Sequence, residues 1–253
     1  MATPTRDSER WIHRFRKDAQ ASNRLVCFPH AGGSASFFFP MAQNLTPDTE
    51  VFAVQYPGRQ DRHTEAPIED IQVLADHVAD ALGDRADLPT AFFGHSMGAV
   101  IAFEVIRRLE SRGAGTAPAL LFASGRRSPS SYREEAVHQR DDEGVIAELK
   151  RLNGTDARVL ADDELLRLIM PAIRGDYRAI ETYRCPPGPP LGCAVTVLVG
   201  DDDPRTTLDE ARAWQQHTTG RFALHVFPGG HFYLSTQQQA VTRAVAAGLA
   251  TLT

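Results

Sequence analysis

One pentapeptide constrains this 253-residue chain more than anything else in it. Gly94-His95-Ser96-Met97-Gly98 stands between the apolar run Ala91-Phe92-Phe93 and a stretch of helical period that begins at Ala99. A strand that turns at once into a helix leaves one residue in a tight bend, and flanking glycines remove the Cβ atoms that would collide with neighbouring backbone. Ser96 is the residue in the bend, so its hydroxyl is pushed outward. It lies at a helix N-terminus, where free N–H groups and the helix dipole favour a developing negative charge. A bare G-x-S-x-G arises often by chance. Read with a strand before and a helix behind, it demands a sheet whose strands alternate with helices.

The rest of the chain meets that demand. Short, mostly apolar runs at 25–28, 51–55, 91–93, 120–123, 195–199 and 222–227 read as strands, and segments 68–82, 99–109, 207–217 and 238–252 have helical spacing. Strands apolar on both faces and alternating with helices predict a mostly parallel central sheet with crossover helices, the doubly wound α/β class, in a single domain. From 126 to 184 the alternation stops, and only helix-like segments at 143–152 and 162–183 appear. Ser128-Pro129 opens this stretch and Cys185-Pro186-Pro187-Gly188-Pro189-Pro190 closes it, which marks an insertion over about 126–190. It reads as a lid, the alternative being helices that only cover sheet surface.

Composition excludes several classes. With 27 Lys+Arg against 32 Asp+Glu the net charge is -5, so the electrostatic basis of nucleic-acid binding is missing. The longest apolar stretches are strand-sized, far below the ~20 residues of a membrane-spanning helix. Residues 1–16 mix charges and lack the apolar core of a secretory signal, which predicts a cytoplasmic protein. Cys27, Cys185 and Cys193 have neither disulfide nor metal-ligand spacing, and no metal site is expected.

A serine hydroxyl needs a histidine base, itself oriented by a carboxylate. Of His138, His217, His225 and His231, only His231 sits in a glycine-rich loop after the last strand, within Pro228-Gly229-Gly230-His231-Phe232. His217 ends a helix, where a positive charge suits the dipole; His225 lies within a strand and His138 within the insertion. The acid should follow the strand at 195–199, where Asp201, Asp202 and Asp203 compete. Asp203 ranks first, because it precedes Pro204 and lies three residues beyond Gly200, and Asp201 second. Phe28-Pro29-His30-Ala31-Gly32-Gly33-Ser34 reads as the loop that supplies an oxyanion donor beside the Met97 N–H, from Ala31 or alternatively Gly32. His30 and His95 read as residues that shape their loops. Phe37-Phe38-Phe39, Ile169 and Ile173 are candidates to line an acyl pocket, the Phe run equally readable as a buried helix start.

With these motifs in place the chain resembles the type II thioesterases that accompany modular polyketide and non-ribosomal peptide synthases. The resemblance covers nearly the whole sequence and rests on the 27–34 loop, Gln55-Tyr56-Pro57-Gly58-Arg59, the pentapeptide, Pro171-Ala172-Ile173-Arg174-Gly175-Asp176-Tyr177 with Glu181-Thr182-Tyr183, and Gly229-Gly230-His231-Phe232. It implies an α/β-hydrolase fold with a helical lid, and removal of acyl groups from the phosphopantetheine arm of acyl or peptidyl carrier proteins without a cofactor of the enzyme's own. It carries nucleophile, acid and base onto Ser96, Asp203 and His231, and the oxyanion hole onto the amides of Ala31 and Met97. Gln55 to Arg59 offers no obvious catalytic atom, and Gly175 departs from the Ala often found there, which predicts a looser helix. Arg126, Arg127, Arg133 and Arg174 read either as a docking surface for an acidic carrier protein or as a solvated face. The triad alone also fits a carboxylesterase, lipase or acyltransferase; a non-catalytic carrier-binding module is the reading from another class.

Overall fold

The computed structural model describes residues 6–15, 20–83, 87–113, 117–154 and 158–252. Of the stretch on which the reading of the N-terminus rests, residues 1–5 and 16 lie outside these, as do 155–157 of the insertion. In chain order the elements are α1 (Arg6–Trp11), β1 (Ile12–Arg14), β2 (Asn23–Phe28), α2 (Phe39–Leu45), β3 (Thr49–Val54), α3 (Ile71–Leu82), β4 (Thr90–His95) and α4 (Met97–Ser111). They continue with β5 (Leu120–Ser124), α5 (Asp142–Leu152), α6 (Asp163–Thr182), β6 (Ala194–Gly200), α7 (Leu208–Arg212), β7 (Phe222–Phe227), α8 (Tyr233–Thr236) and α9 (Gln238–Leu249).

The seven strands form one sheet in the order β1-β3-β2-β4-β5-β6-β7, parallel throughout except for β1, which pairs antiparallel with β3. This is the α/β-hydrolase architecture that the sequence predicts. Two cores flank the sheet, and the pleat divides the strand residues between them. Val26 and Phe28 of β2, Phe52 and Val54 of β3, Phe92 of β4 and Val195, Val197 and Val199 of β6 face α3 and α4. Leu25, Cys27, Val51, Ala53, Ala91, Phe93 and Leu198 face α2 and α9. Both faces are dry, which is why the strands read as continuous apolar runs rather than alternating ones.

Three elements, α1, β1 and α8, are absent from the sequence reading, each six residues or fewer. β1 is three residues long with a single buried side chain, Ile12, too little to show a period. α2 begins at Phe39, so the Phe run is a helix start, one of the two readings it allowed. The helix read at 207–217 divides into α7 and a 3-10 turn, Ala213–His217. Between β5 and β6 the insertion folds as α5 and α6, each started by an aspartate that accepts backbone N–H bonds, Asp141 from Gly144 and Asp162 from Glu164 and Leu165. Gly175 has its own explanation: a Cβ there would stand 3.0 Å from Pro67 Cβ, so the glycine lets α6 lie close against the chain before α3. Its effect is close packing rather than looseness.

The densest constraint is at the turn from β4 into α4. A Cβ on Gly98 would lie 2.6 Å from the Pro29 carbonyl oxygen and closer still to that of Phe28. Gly98→Ala should therefore cost about 3 kcal/mol or abolish folding, because backbone cannot yield as a side chain does; urea midpoints measure this.

Candidate active site

Ser96 occupies the bend with φ +54° and ψ −117°, a left-handed conformation that a residue with a side chain rarely adopts. Its N–H donates to the Ser124 carbonyl at 2.8 Å, fixing the bend to β5. Beneath it runs a buried chain in which Ser124 Oγ lies 3.0 Å from His95 Nδ1 and 2.7 Å from the Tyr233 hydroxyl. The bend is thus held from three elements, β4, β5 and α8, by hydrogen bonds that oppose its strain.

His231 Nε2 stands 3.0 Å from Ser96 Oγ, and Nδ1 lies 2.9 Å and 3.0 Å from the two Asp203 carboxylate oxygens. An ionised carboxylate only accepts, so the ring proton is on Nδ1 and Nε2 is left to accept from the serine hydroxyl. The three neighbouring aspartates separate cleanly. Asp203 faces His231 and also accepts the Arg205 N–H at 2.8 Å. Asp201 accepts the Gly229 N–H at 2.9 Å, which braces the histidine loop without touching the imidazole, and Asp202 is exposed. Gly200 allows the two loops to meet, since a Cβ there would stand 2.5 Å from the Gly230 carbonyl oxygen. The other downstream histidines are elsewhere. His138 Nδ1 is 2.6 Å from Glu181, and His217 Nε2 pairs with Ser130 Oγ at 2.8 Å. Burial, then Arg107, lowers the His217 pKa.

The loop from Pro29 to Ala35 is held by the motif that had no evident role. Gln55 Oε1 accepts the Ala35 N–H at 2.8 Å, the Tyr56 hydroxyl donates to the Pro29 carbonyl at 3.3 Å, and Arg59 donates to the Gly33 carbonyl at 3.1 Å. Arg59 also grips Asp176 of α6 through both guanidinium ends, at 2.5 and 2.8 Å, and Asp176 accepts the Gly32 N–H at 2.7 Å. That bond corrects one alternative: the Gly32 amide is committed to Asp176. Ala31 lines the cavity above Ser96, and Met97 is the first residue of α4, whose N–H has no intrahelical acceptor.

The cavity has an empty volume of about 560 Å³ including its solvent-open mouth. Ser96, His231, His30 and Phe232 form one side; Leu149 and Leu152 of α5 and Tyr177 and Ile180 of α6 roof it. The acyl-pocket candidates need correction. Phe38 is buried on the opposite side of the loop against Phe93, and Phe37 packs edge-on to His30 at 4.6 Å between ring centroids; neither lines the cavity. Ile173 sits over Gly32, and Ile169 belongs to the core within the insertion. Arg127 pairs with Glu135 at 2.6 Å, Arg133 with Glu210 at 2.5 Å and Arg174 with Asp142 at 2.6 Å; Arg127 is buried by its pair, while Arg133 and Arg174 are ion-paired and remain partly open to solvent. Arg126 lines the cavity itself.

His30 and His95 surround His231, with ring centroids 5.8 Å apart from each other and His95 5.1 Å from His231. Burial, then the His231 charge and Arg59, pulls the His30 pKa down to about 3; burial, His231 and His30 hold His95 well below the ordinary value. Both shifts favour the neutral ring. Because the unfolded chain takes up these protons near pH 6.5, stability is fully present above that pH and falls as pH drops toward 3. His30 contributes about 1 kcal/mol per pH unit in that window, and His95 acts in the same direction. Thermal melts from pH 7 to 4 should decline steeply, and His30→Phe should flatten the slope. For the buried pair, Asp176→Ala should cost about 3–5 kcal/mol by leaving Arg59 unmatched, while Arg59→Met with Asp176→Leu should restore part of it; urea unfolding of the set measures both.

A strained serine at a strand-to-helix turn, with a histidine and an aspartate arriving on the two loops that follow later strands, defines the serine-hydrolase arrangement of the α/β-hydrolase fold. The sequence profile of the Thioesterase domain family matches residues 23–249, and the chain belongs to this family. A probable cadicidin biosynthesis thioesterase from Streptomyces griseus is 53% identical over 98% of this chain and 68% of its own length. Thioesterase PikA5 from Streptomyces venezuelae is 50% identical over 91% of this chain and 82% of its own. The type II thioesterase BorB from the borrelidin biosynthetic cluster superposes with a TM-score of 0.87 at 50% identity, covering 95% of this chain and 98% of BorB.

Proposed function

We propose that this protein hydrolyses acyl thioesters on the phosphopantetheine arm of acyl or peptidyl carrier proteins, clearing stalled or aberrant groups from a polyketide or non-ribosomal peptide synthase in the cytoplasm. The observation that carries this reading is the hydrogen-bonded line Ser96–His231–Asp203, 3.0 and 2.9 Å between partners, at the base of a cleft roofed by α5 and α6. The relatives named above, a probable cadicidin biosynthesis thioesterase, thioesterase PikA5 and the type II thioesterase of the borrelidin biosynthetic cluster, support the substrate class.

Ser96 Oγ attacks the thioester carbonyl carbon as its proton passes to His231 Nε2, and Asp203 stabilises the imidazolium that results. The oxyanion is received by the amides of Ala31 and Met97, with the positive end of α4 behind them. Collapse breaks the carbon–sulfur bond, and the imidazolium returns the proton to the departing pantetheine thiol. Water then attacks the acyl-Ser96 ester, with His231 taking its proton and handing it to Ser96 Oγ as the acid is released. No step draws on a metal or an organic cofactor of the enzyme; the pantetheine belongs to the partner.

Ser96→Ala should lower hydrolysis of a short acyl group from a phosphopantetheinylated carrier protein by roughly 10⁴-fold or more, while leaving the melting temperature nearly unchanged. Cleavage of an aryl ester with no turnover of the carrier thioester would instead mark a general carboxylesterase.

A further inference from the structure

Arg126 leaves β5 one residue beyond Gly125, and its charge is not matched by a direct partner. Its backbone carbonyl accepts the Trp214 Nε1–H at 2.8 Å. Among the described residues, however, its guanidinium makes no hydrogen bond or ion pair, and Nε is buried without an acceptor. An unsatisfied buried donor costs about 1–3 kcal/mol, more when charged, and calls for a physical reason. The nearby carboxylates do not supply the missing partner. Glu135 is held by Arg127 and Arg205 at 2.6 Å each, and Glu181 accepts the N–H groups of Val137 and His138 together with the His138 ring. Burial, then Arg127, lowers the Arg126 pKa to about 9, with Glu135 opposing and Arg205 adding to the fall; it stays a cation at neutral pH.

The same side chain borders two cavities. One holds Ser96 and His231, and the other is polar, walled by Arg127, Arg133 and Arg184. Arg126 is thus a cation at the wall of the acyl cleft without a directly bonded carboxylate among the described residues, while Arg127 and Arg133 beside it are paired with Glu135 and Glu210.

We propose that Arg126 is a specificity-determining residue that receives an anionic oxygen group carried by the thioester substrate while the acyl carbon is at Ser96. That group is either a carboxylate on the acyl chain or the phosphate of the pantetheine arm. The inference rests on the thioesterase reading above. A guanidinium fork matches either oxyanion through two parallel bonds. A neutral acyl group on an unphosphorylated arm leaves Arg126 as it is in the free protein, and draws nothing from it.

The test compares kcat/KM of wild type, Arg126→Met and Arg126→Lys on acetyl-pantetheine, malonyl-pantetheine and acetyl-phosphopantetheine. Arg126→Met should lower turnover of an anionic substrate by about ten- to a hundredfold relative to acetyl-pantetheine, and Arg126→Lys, which keeps the charge but not the fork, by less. Loss confined to the malonyl substrate assigns the acyl carboxylate, and loss confined to the phosphorylated arm assigns the phosphate. Equal changes on all three substrates, or none, overturn the proposal. If Arg126→Met does not fold, the substrate ratio of Arg126→Lys decides alone. Wild type inert toward all three would remove the thioesterase reading and this inference with it, a result distinct from wild-type turnover that Arg126 does not bias.

Discussion

The carboxylate of Asp176 holds the upper half of this structure together. Its side chain is only 1% exposed, yet it meets a bidentate guanidinium from Arg59 and the backbone N–H of Gly32. Three parts of the chain far apart in sequence, the loop after β2, the turn after β3 and helix α6, converge on that one group. A buried charge left without a partner costs several kcal/mol, so none of the three can shift alone without exposing the other two to that penalty. The cleft roof and the loop that carries Ala31 are therefore coupled mechanically. This coupling explains why Gln55, Tyr56 and Arg59, with no atom positioned for chemistry, all bond to the same short loop.

The lower half depends on close backbone approach. Parallel strands deliver their C-terminal ends to one edge of the sheet, and there β4 supplies Ser96, the loop after β6 Asp203 and the loop after β7 His231. Gly94, Gly98 and Gly200 bring backbone to within contact of backbone, so the side chains converge without bending the strands. His30 and His95 add a second constraint. Burial lowers the pKa of both, so they favour the neutral form, with His95 packed 5.1 Å from the His231 ring.

Much of this was legible in the sequence, for a reason that differs by element. The buried strands are apolar on both faces and short, and Gly94 to Gly98 forces a strand and a helix around itself, so sheet, elbow and insertion followed from local pattern. His231 was legible from its glycine-rich loop. Asp203 was only ranked above Asp201, because the choice depends on which carboxylate turns toward a loop 28 residues away. Phe37 and Phe38 were misplaced for the same reason: a run of three aromatics does not reveal which one faces the core. The partners of the arginines, Glu135 and Glu210 among them, were not legible because they are set by tertiary packing. β1 escaped notice because three residues carry no period.

The central claim is that Ser96 carries the acyl group between two half-reactions served by one histidine. Its most direct test is rapid-quench intact mass spectrometry after mixing with an acetylated carrier protein, followed by peptide mapping. A transient mass increase equal to one acetyl group, localised to the peptide containing Ser96, is the expected result. Sustained turnover with no adduct at any time, or an adduct on another residue, would contradict it.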